Sequence, residues 1–170
     1  MKKTFALFLC MLLITSLVGC SSDKLLKPKT NLEFWIAENV ENFDFSEYQE
    51  KFGLMGGRQY YGKGYTPTIN ENGEQIDPEE CVIYTVTNYP DYTSRNSHIT
   101  QIVITDPSVT VYGLTIHSSS GEIETVLKNH GFKSGRIGKR EWVKGKFHIV
   151  FTEEAITISV DVSNFWRIQF

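Results

Sequence analysis

Cysteine is scarce in this 170-residue chain: Cys10, Cys20 and Cys81 are the only three, and no two of them stand at C-x-x-C spacing. With His98, His117, His130 and His148 they form no zinc-ligand pattern, so neither a metal cage nor a dithiol redox motif can be read from the chain. The nucleophile elbow G-x-S-x-G is missing as well. Basic residues do not exceed acidic ones, 17 against 20, so the chain lacks the electrostatic footprint of a nucleic-acid binder. No apolar run reaches the roughly 20 residues that a membrane-spanning helix needs.

What the chain does have begins at its N-terminus. Lys2 and Lys3 precede a run from Phe5 to Val18 that is apolar except for Thr15 and Ser16, the layout of a secretory signal. The run closes on Leu17-Val18-Gly19-Cys20. This stretch resembles the lipobox of bacterial lipoproteins, over about the first 22 residues. The resemblance implies diacylglyceryl transfer to the Cys20 sulfur, cleavage before Cys20 and acylation of the new amino group with a palmitate-type chain. It also implies an extracytoplasmic protein held on the cell membrane or an outer membrane, with Ser21 compatible with outer-membrane sorting.

Removal of residues 1–19 takes away Lys2 and Lys3 and no acid, leaving 15 basic against 20 acidic residues, a formal −5. Cys10 leaves with the signal and lipid occupies Cys20, so Cys81 has no disulfide partner. In the strand-like CVIYTVT it reads as a small buried hydrophobe. Residues 20–30 form a polar tether carrying Lys24, Lys27 and Lys29, and residues 31–170 suit one domain.

Within that domain, Thr30 and Glu33 fit a capping box, and Leu32, Trp35, Ile36, Val40 and Phe43 recur at helical spacing. A second short helix is expected from Asp44 to a stop at Gly53, with Phe45, Tyr48 and Phe52 on one side. Gly57 to Lys63 satisfies G-x-x-x-x-G-K. The next residue is Gly64, where a P-loop needs a hydroxyl, so RQYYGKGY reads as a strand punctuated by glycine. TINENGEQI signals a hairpin with a type I′ turn at Asn72-Gly73 and Ile69 opposite Ile76. Its acidic and amide residues lack the regular calcium-loop spacing.

Strands are expected from Cys81 to Tyr89 and from His98, with Ile99, Gln101, Val103 and Thr105 on one face and Thr100, Ile102, Ile104 and Asp106 on the other. A further strand is expected from Val109 to Ile116. Ser119 and Glu122 form a second capping box, ahead of an apolar stripe of Ile123, Val126 and Leu127 and a stop at Gly131. Downstream, a Lys144-Gly145 turn sets Trp142 opposite Phe147. A turn at Glu153-Glu154 sets Phe151, Ile149 and Phe147 opposite Ile156, Ile158 and Val160. Trp166, Ile168 and Phe170 share one side of the closing segment.

The expected fold is therefore α+β: short helices on an antiparallel, meander-rich sheet, with similar helix-then-strands halves at 31–98 and 99–170. That order resembles the β-lactamase-inhibitor-protein-like and small outer-membrane assembly lipoprotein folds, whose members bind other proteins and offer no catalytic residues to carry over.

Three function classes fit. The favoured one is a non-catalytic interaction lipoprotein whose partner is an envelope protein, without cofactor or metal, and whose contact surface includes Arg58, Tyr60, Tyr61, Tyr65, Tyr89, Asp91 and Tyr92. An exported hydrolase would use Asp91, His98 and Asp106. A carbohydrate or small-ligand binder would need a concave pocket between sheet and helices.

Overall fold

The computed structural model describes residues 25–51, 57–88, 97–135 and 138–160. Cys20, Phe52, Gly53, Tyr89, Asp91, Tyr92, Trp166, Ile168 and Phe170 lie outside them. Ten strands and one helix are described: β1 (Glu50–Lys51), β2 (Arg58–Tyr61), β3 (Thr68–Ile69), β4 (Gln75–Ile76), β5 (Val82–Asn88), β6 (Ser97–Ile104), α1 (Ser120–Asn129), β7 (Lys133–Gly135), β8 (Gly138–Lys144), β9 (Phe147–Phe151) and β10 (Ile156–Val160). The architecture is α+β in the broad sense, mostly sheet with a minor helix. Eight strands form one antiparallel sheet in the order β1-β2-β5-β6-β10-β9-β8-β7, and β3-β4 stand apart as a hairpin.

One row of residues explains why this sheet holds together. Tyr60 pairs with Tyr84, Tyr84 with Ile102, Ile102 with Ile158, Ile158 with Ile149 and Ile149 with Trp142, so six strands contribute one residue each to a continuous apolar line. All six are buried. A parallel row runs Val82, Ile104, Ile156, Phe151. Ile123 and Leu127 of α1 lie in the same core, and burial of each such side chain is worth about 1.5–3 kcal/mol.

The helix follows its sequence signals closely. The Ser119 hydroxyl accepts from Glu122 N while Glu122 reaches back to Ser119 N, a complete capping box. At the other end Phe132 N donates to Leu127 O and Gly131 N to Lys128 O, both at 2.9 Å. This closure places Gly131 at φ 80°. The registers Phe151–Ile156, Ile149–Ile158 and Phe147–Val160 also form as expected.

Several expectations are corrected. Residues 31–43 form no helix: Ala37 N donates to Ile99 O, Val40 N to Ser97 O, and Ile99 N to Glu38 O, with Ala37 at φ 62°. Leu32, Trp35, Ile36 and Val40 are buried, so the apolar spacing reported burial. The segment's three asparagines and its aromatic residues are weak helix formers, and the start of β6 offers its backbone partners instead. The expected helix at Asp44 is a single turn, where Asp44 accepts from Ser46 N before the chain enters β1. Among the described residues, the helix-then-strands order therefore holds for the second half alone.

The expected strand from Val109 to Ile116 is a tight turn instead. Val111 and Leu114 exchange backbone bonds across Tyr112 (φ 57°) and Gly113 (φ 80°). Two consecutive positive φ values define a type I′ turn, and the tyrosine tolerates its strained backbone because its ring packs on Trp35, His130 and Phe132.

Two registers shift. The β8-β9 turn is Gly145-Lys146, with Gly145 at φ 60°, so Lys144 faces Phe147 and Trp142 faces Ile149. The β3-β4 loop closes at Asn70–Glu74, so Ile69 faces Gln75. Finally, a bulge opposite Thr85 and Val86 leaves Thr100 unpaired. It turns Ile99 to the same side as Ile102 and Ile104, reversing the face expected for it.

Candidate binding surfaces

Two of the four described residues of the expected tyrosine patch are buried. Tyr60 is buried and stacks on Phe45, with ring centroids 4.3 Å apart and planes 17° apart. Tyr61 is fully buried with Cys81 and Ile83 in a second small cluster. Its hydroxyl donates to Asp77 at 2.5 Å, and Lys51 also pairs with Asp77. Burial opposes ionisation of Asp77, but the bonds from Lys51 and Tyr61 prevail and hold its carboxyl below the ordinary range. This network clasps the β3-β4 hairpin to the sheet. Of the expected patch, only Arg58 and Tyr65 keep exposure among the described residues. What misled the reading is that strand tyrosines alternate across both faces of a sheet, and here both faces at this edge are covered.

Of the expected hydrolase residues, Asp91 lies outside the described residues and the other two are far apart: His98 is near the start of β6 and Asp106 just past its end, and the strand's eight residues span about 25 Å. Asp106 is committed elsewhere: it accepts from Ser108 N at 2.7 Å and from the Tyr65 hydroxyl at 2.5 Å. Those bonds, Ser108's first, hold its carboxyl below the usual carboxylate value of about 3.9.

A depressed folded value stabilises the fold above the unfolded pKa and is lost as pH falls through the folded one. Wild type should thus lose stability below about pH 4 faster than Asp106→Asn, the gap between them closing in strong acid. Urea unfolding across that range reads it out. A constant gap at every pH would refute the assignment.

The G-x-x-x-x-G-K segment also has a structural use. Lys63 N donates to the Glu33 carboxylate at 3.1 Å and Lys63 Nζ pairs with Glu47 at 2.8 Å, so carboxylates occupy the donors a phosphate would need. At the hairpin tip, Asn70 Oδ1 accepts from Asn72 N and Glu74 N. Cys81 is 2% exposed, and burial pushes its thiol pKa up, which suits an inert packing residue.

Among the described residues, the apolar rows pack with Ile123 and Leu127 in the space between sheet and helix where a small-ligand reading would need a pocket. Two shallow surface grooves are lined by described residues. One, of about 220 Å³, lies between Glu33, Lys63, Tyr65, Tyr84 and Ser108. The other, of about 430 Å³, follows Glu38 to Phe43.

The remaining broad surface is the sheet face opposite α1. Register places Gln59, Thr85, Gln101, Ser159 and His148 in one row across five strands, beside a second row containing Val103, Thr157 and Val150. All eight retain partial exposure. Gln59 Nε2 donates to Thr85 Oγ1 at 3.2 Å, Thr85 Oγ1 to Gln101 Oε1 at 3.4 Å, and His148 Nδ1 meets Glu141 at 2.9 Å. Side-chain bonds thus link Gln59, Thr85 and Gln101 to one another and His148 to Glu141. The alternation of β6 is legible in the sequence, but this row exists only once β10 returns to pair with β6.

No family model, curated protein or solved structure matches the chain.

Proposed function

We propose that this chain is a lipid-anchored, extracytoplasmic lipoprotein that works by binding an envelope protein rather than by catalysis. The observation that carries the reading is the N-terminal sequence itself: Lys2-Lys3, the apolar run and Leu17-Val18-Gly19-Cys20. The fold is compatible with such an anchor. Leu25 is buried and its carbonyl accepts from Trp35 Nε1 at 3.0 Å, so the domain takes hold of the chain five residues after Cys20. Even fully extended, that link spans no more than about 18 Å, which keeps the domain against the membrane surface.

The row Gln59, Thr85, Gln101, Ser159 and His148 is the contact surface this reading favours. Gln59, Thr85 and Gln101 are already ordered by one another, so a partner would lose little of their side-chain entropy on docking.

A photo-reactive residue at Gln101 should cross-link one discrete envelope protein in intact cells, and the Ser159→Lys change should abolish the product while the domain stays folded. A folded chain that yields no product at Gln101 would defeat the interaction reading.

A further inference from the structure

We propose that one end of the domain, the end where the tether joins it, rests on anionic lipid headgroups, and that the opposite, acidic end faces away from the membrane. This rests on the lipid-anchor reading above and adds the orientation of the domain.

The position of the tether follows from a chain of contacts. Leu25 is bound to Trp35; Trp35 meets Tyr112 at 6.2 Å between ring centroids; Tyr112 meets His130 at 4.5 Å and Phe132 at 5.6 Å. His130 caps the C-terminal end of α1, and its carbonyl accepts from Lys144 Nζ at 2.8 Å. The tether thus enters beside the helix C-terminus and the Gly145-Lys146 turn.

This end is cationic and carries an unburied apolar side chain. Lys133, Lys144 and Lys146 are exposed here, and among the described residues none is in an ion pair, while Lys27 on the tether donates to the Glu33 carbonyl at 3.0 Å. Leu26 is 82% exposed between the buried Leu25 and Lys27. Glu38, whose carbonyl accepts from Ile99 N at the start of β6, lies towards this same end and offsets part of its charge.

The other end of the sheet carries more acid than base among the described residues, with Glu153 paired to Arg140 and Glu47 to Lys63. The five residues of β9 separate the Gly145-Lys146 turn from Glu153 and Glu154 by about 17 Å. The hairpin at that far end, clasped through Tyr61 and Asp77, adds Glu71 and Glu74.

A molecule with a formal −5 would be repelled as a whole by an anionic surface, but a molecule charged oppositely at its two ends is turned by it. Each lysine held near such a surface favours the docked orientation about fivefold, within a Debye length of about 10 Å at 0.1 M salt. The lipid on Cys20 supplies the attachment and the lysines supply the direction.

The test uses the mature acylated chain on vesicles. Cys81 is buried and Cys20 is blocked by its thioether, so a dye can be placed at Asn129→Cys, on the last residue of α1, or at Glu154→Cys, at the far turn. Energy transfer to a headgroup-labelled lipid is compared on vesicles of phosphatidylcholine alone and of equal parts phosphatidylcholine and phosphatidylglycerol. On the anionic vesicles transfer should be clearly stronger from position 129 than from 154. High salt, uncharged vesicles, or Lys144→Glu with Lys146→Glu should remove most of that difference, the paired change lowering the docked-to-undocked ratio by about 25-fold or more. Equal transfer from the two positions on anionic vesicles, or a difference indifferent to salt and lipid charge, overturns the orientation alone. A mature chain that does not sediment with any vesicle overturns the anchor and the orientation together.

Discussion

Trp142→Ala is expected to lower the unfolding free energy by about 3–5 kcal/mol, the range for removing a buried tryptophan from a packed core. Trp142 is 1% exposed and ends the row that crosses six strands, with Ile149 beside it and the helix residues Ile123 and Leu127 in the same core. Deleting the indole opens a cavity where sheet and helix meet, and neither element can collapse into it without giving up the capped geometry of α1. Domains of this size are typically stable by only 5–15 kcal/mol, so the variant should melt roughly 10 °C or more below wild type. Thr157→Ala, half-exposed on the opposite face, should cost no more than about 1 kcal/mol. Thermal and urea unfolding of both variants gives the comparison, and equal losses would mean that the sheet buries the wrong face here.

The two faces of the sheet mark how far the sequence could be read. Where local chemistry decides, it was legible: Ser119, Glu122 and Gly131 specify α1 on their own, and the β9-β10 register follows from alternation across a short turn. Where a distant strand decides, it was not. Leu32, Trp35, Ile36 and Val40 have helical spacing, yet their segment takes its backbone bonds from the start of β6, some 60 residues later. The Thr100 bulge is likewise invisible in the run ITQIVI, because it is defined only by the pairing of β6 with β5.

The same division applies to the candidate sites. The Tyr60 and Tyr61 hydroxyl-bearing rings look like contact residues until Phe45 and Asp77 are found on them. The row containing Gln59, Gln101 and Ser159 draws its members from β2, β6 and β10, so no local pattern could have singled it out.

The larger effect is on location. Cys20→Ala removes the only sulfur at the lipobox position, so the variant should take up no palmitate and should be found either released or as the uncleaved 170-residue precursor. The magnitude follows from chain length: each methylene in the bilayer contributes about 0.8 kcal/mol, and two or more acyl chains together make attachment lasting where one alone is marginal. No combination of Lys27, Lys133, Lys144 and Lys146 compensates for that loss, since each contributes only about 1 kcal/mol and only close to an anionic surface. The domain itself should remain folded, because its described contacts begin at Leu25.

The most direct measurement is the mass of the N-terminal peptide of the mature wild-type protein extracted from cell envelopes. The account predicts a peptide that begins at Cys20 and carries a diacylglyceryl group on its sulfur. A peptide that begins elsewhere, or begins at Cys20 with a free thiol, would contradict it.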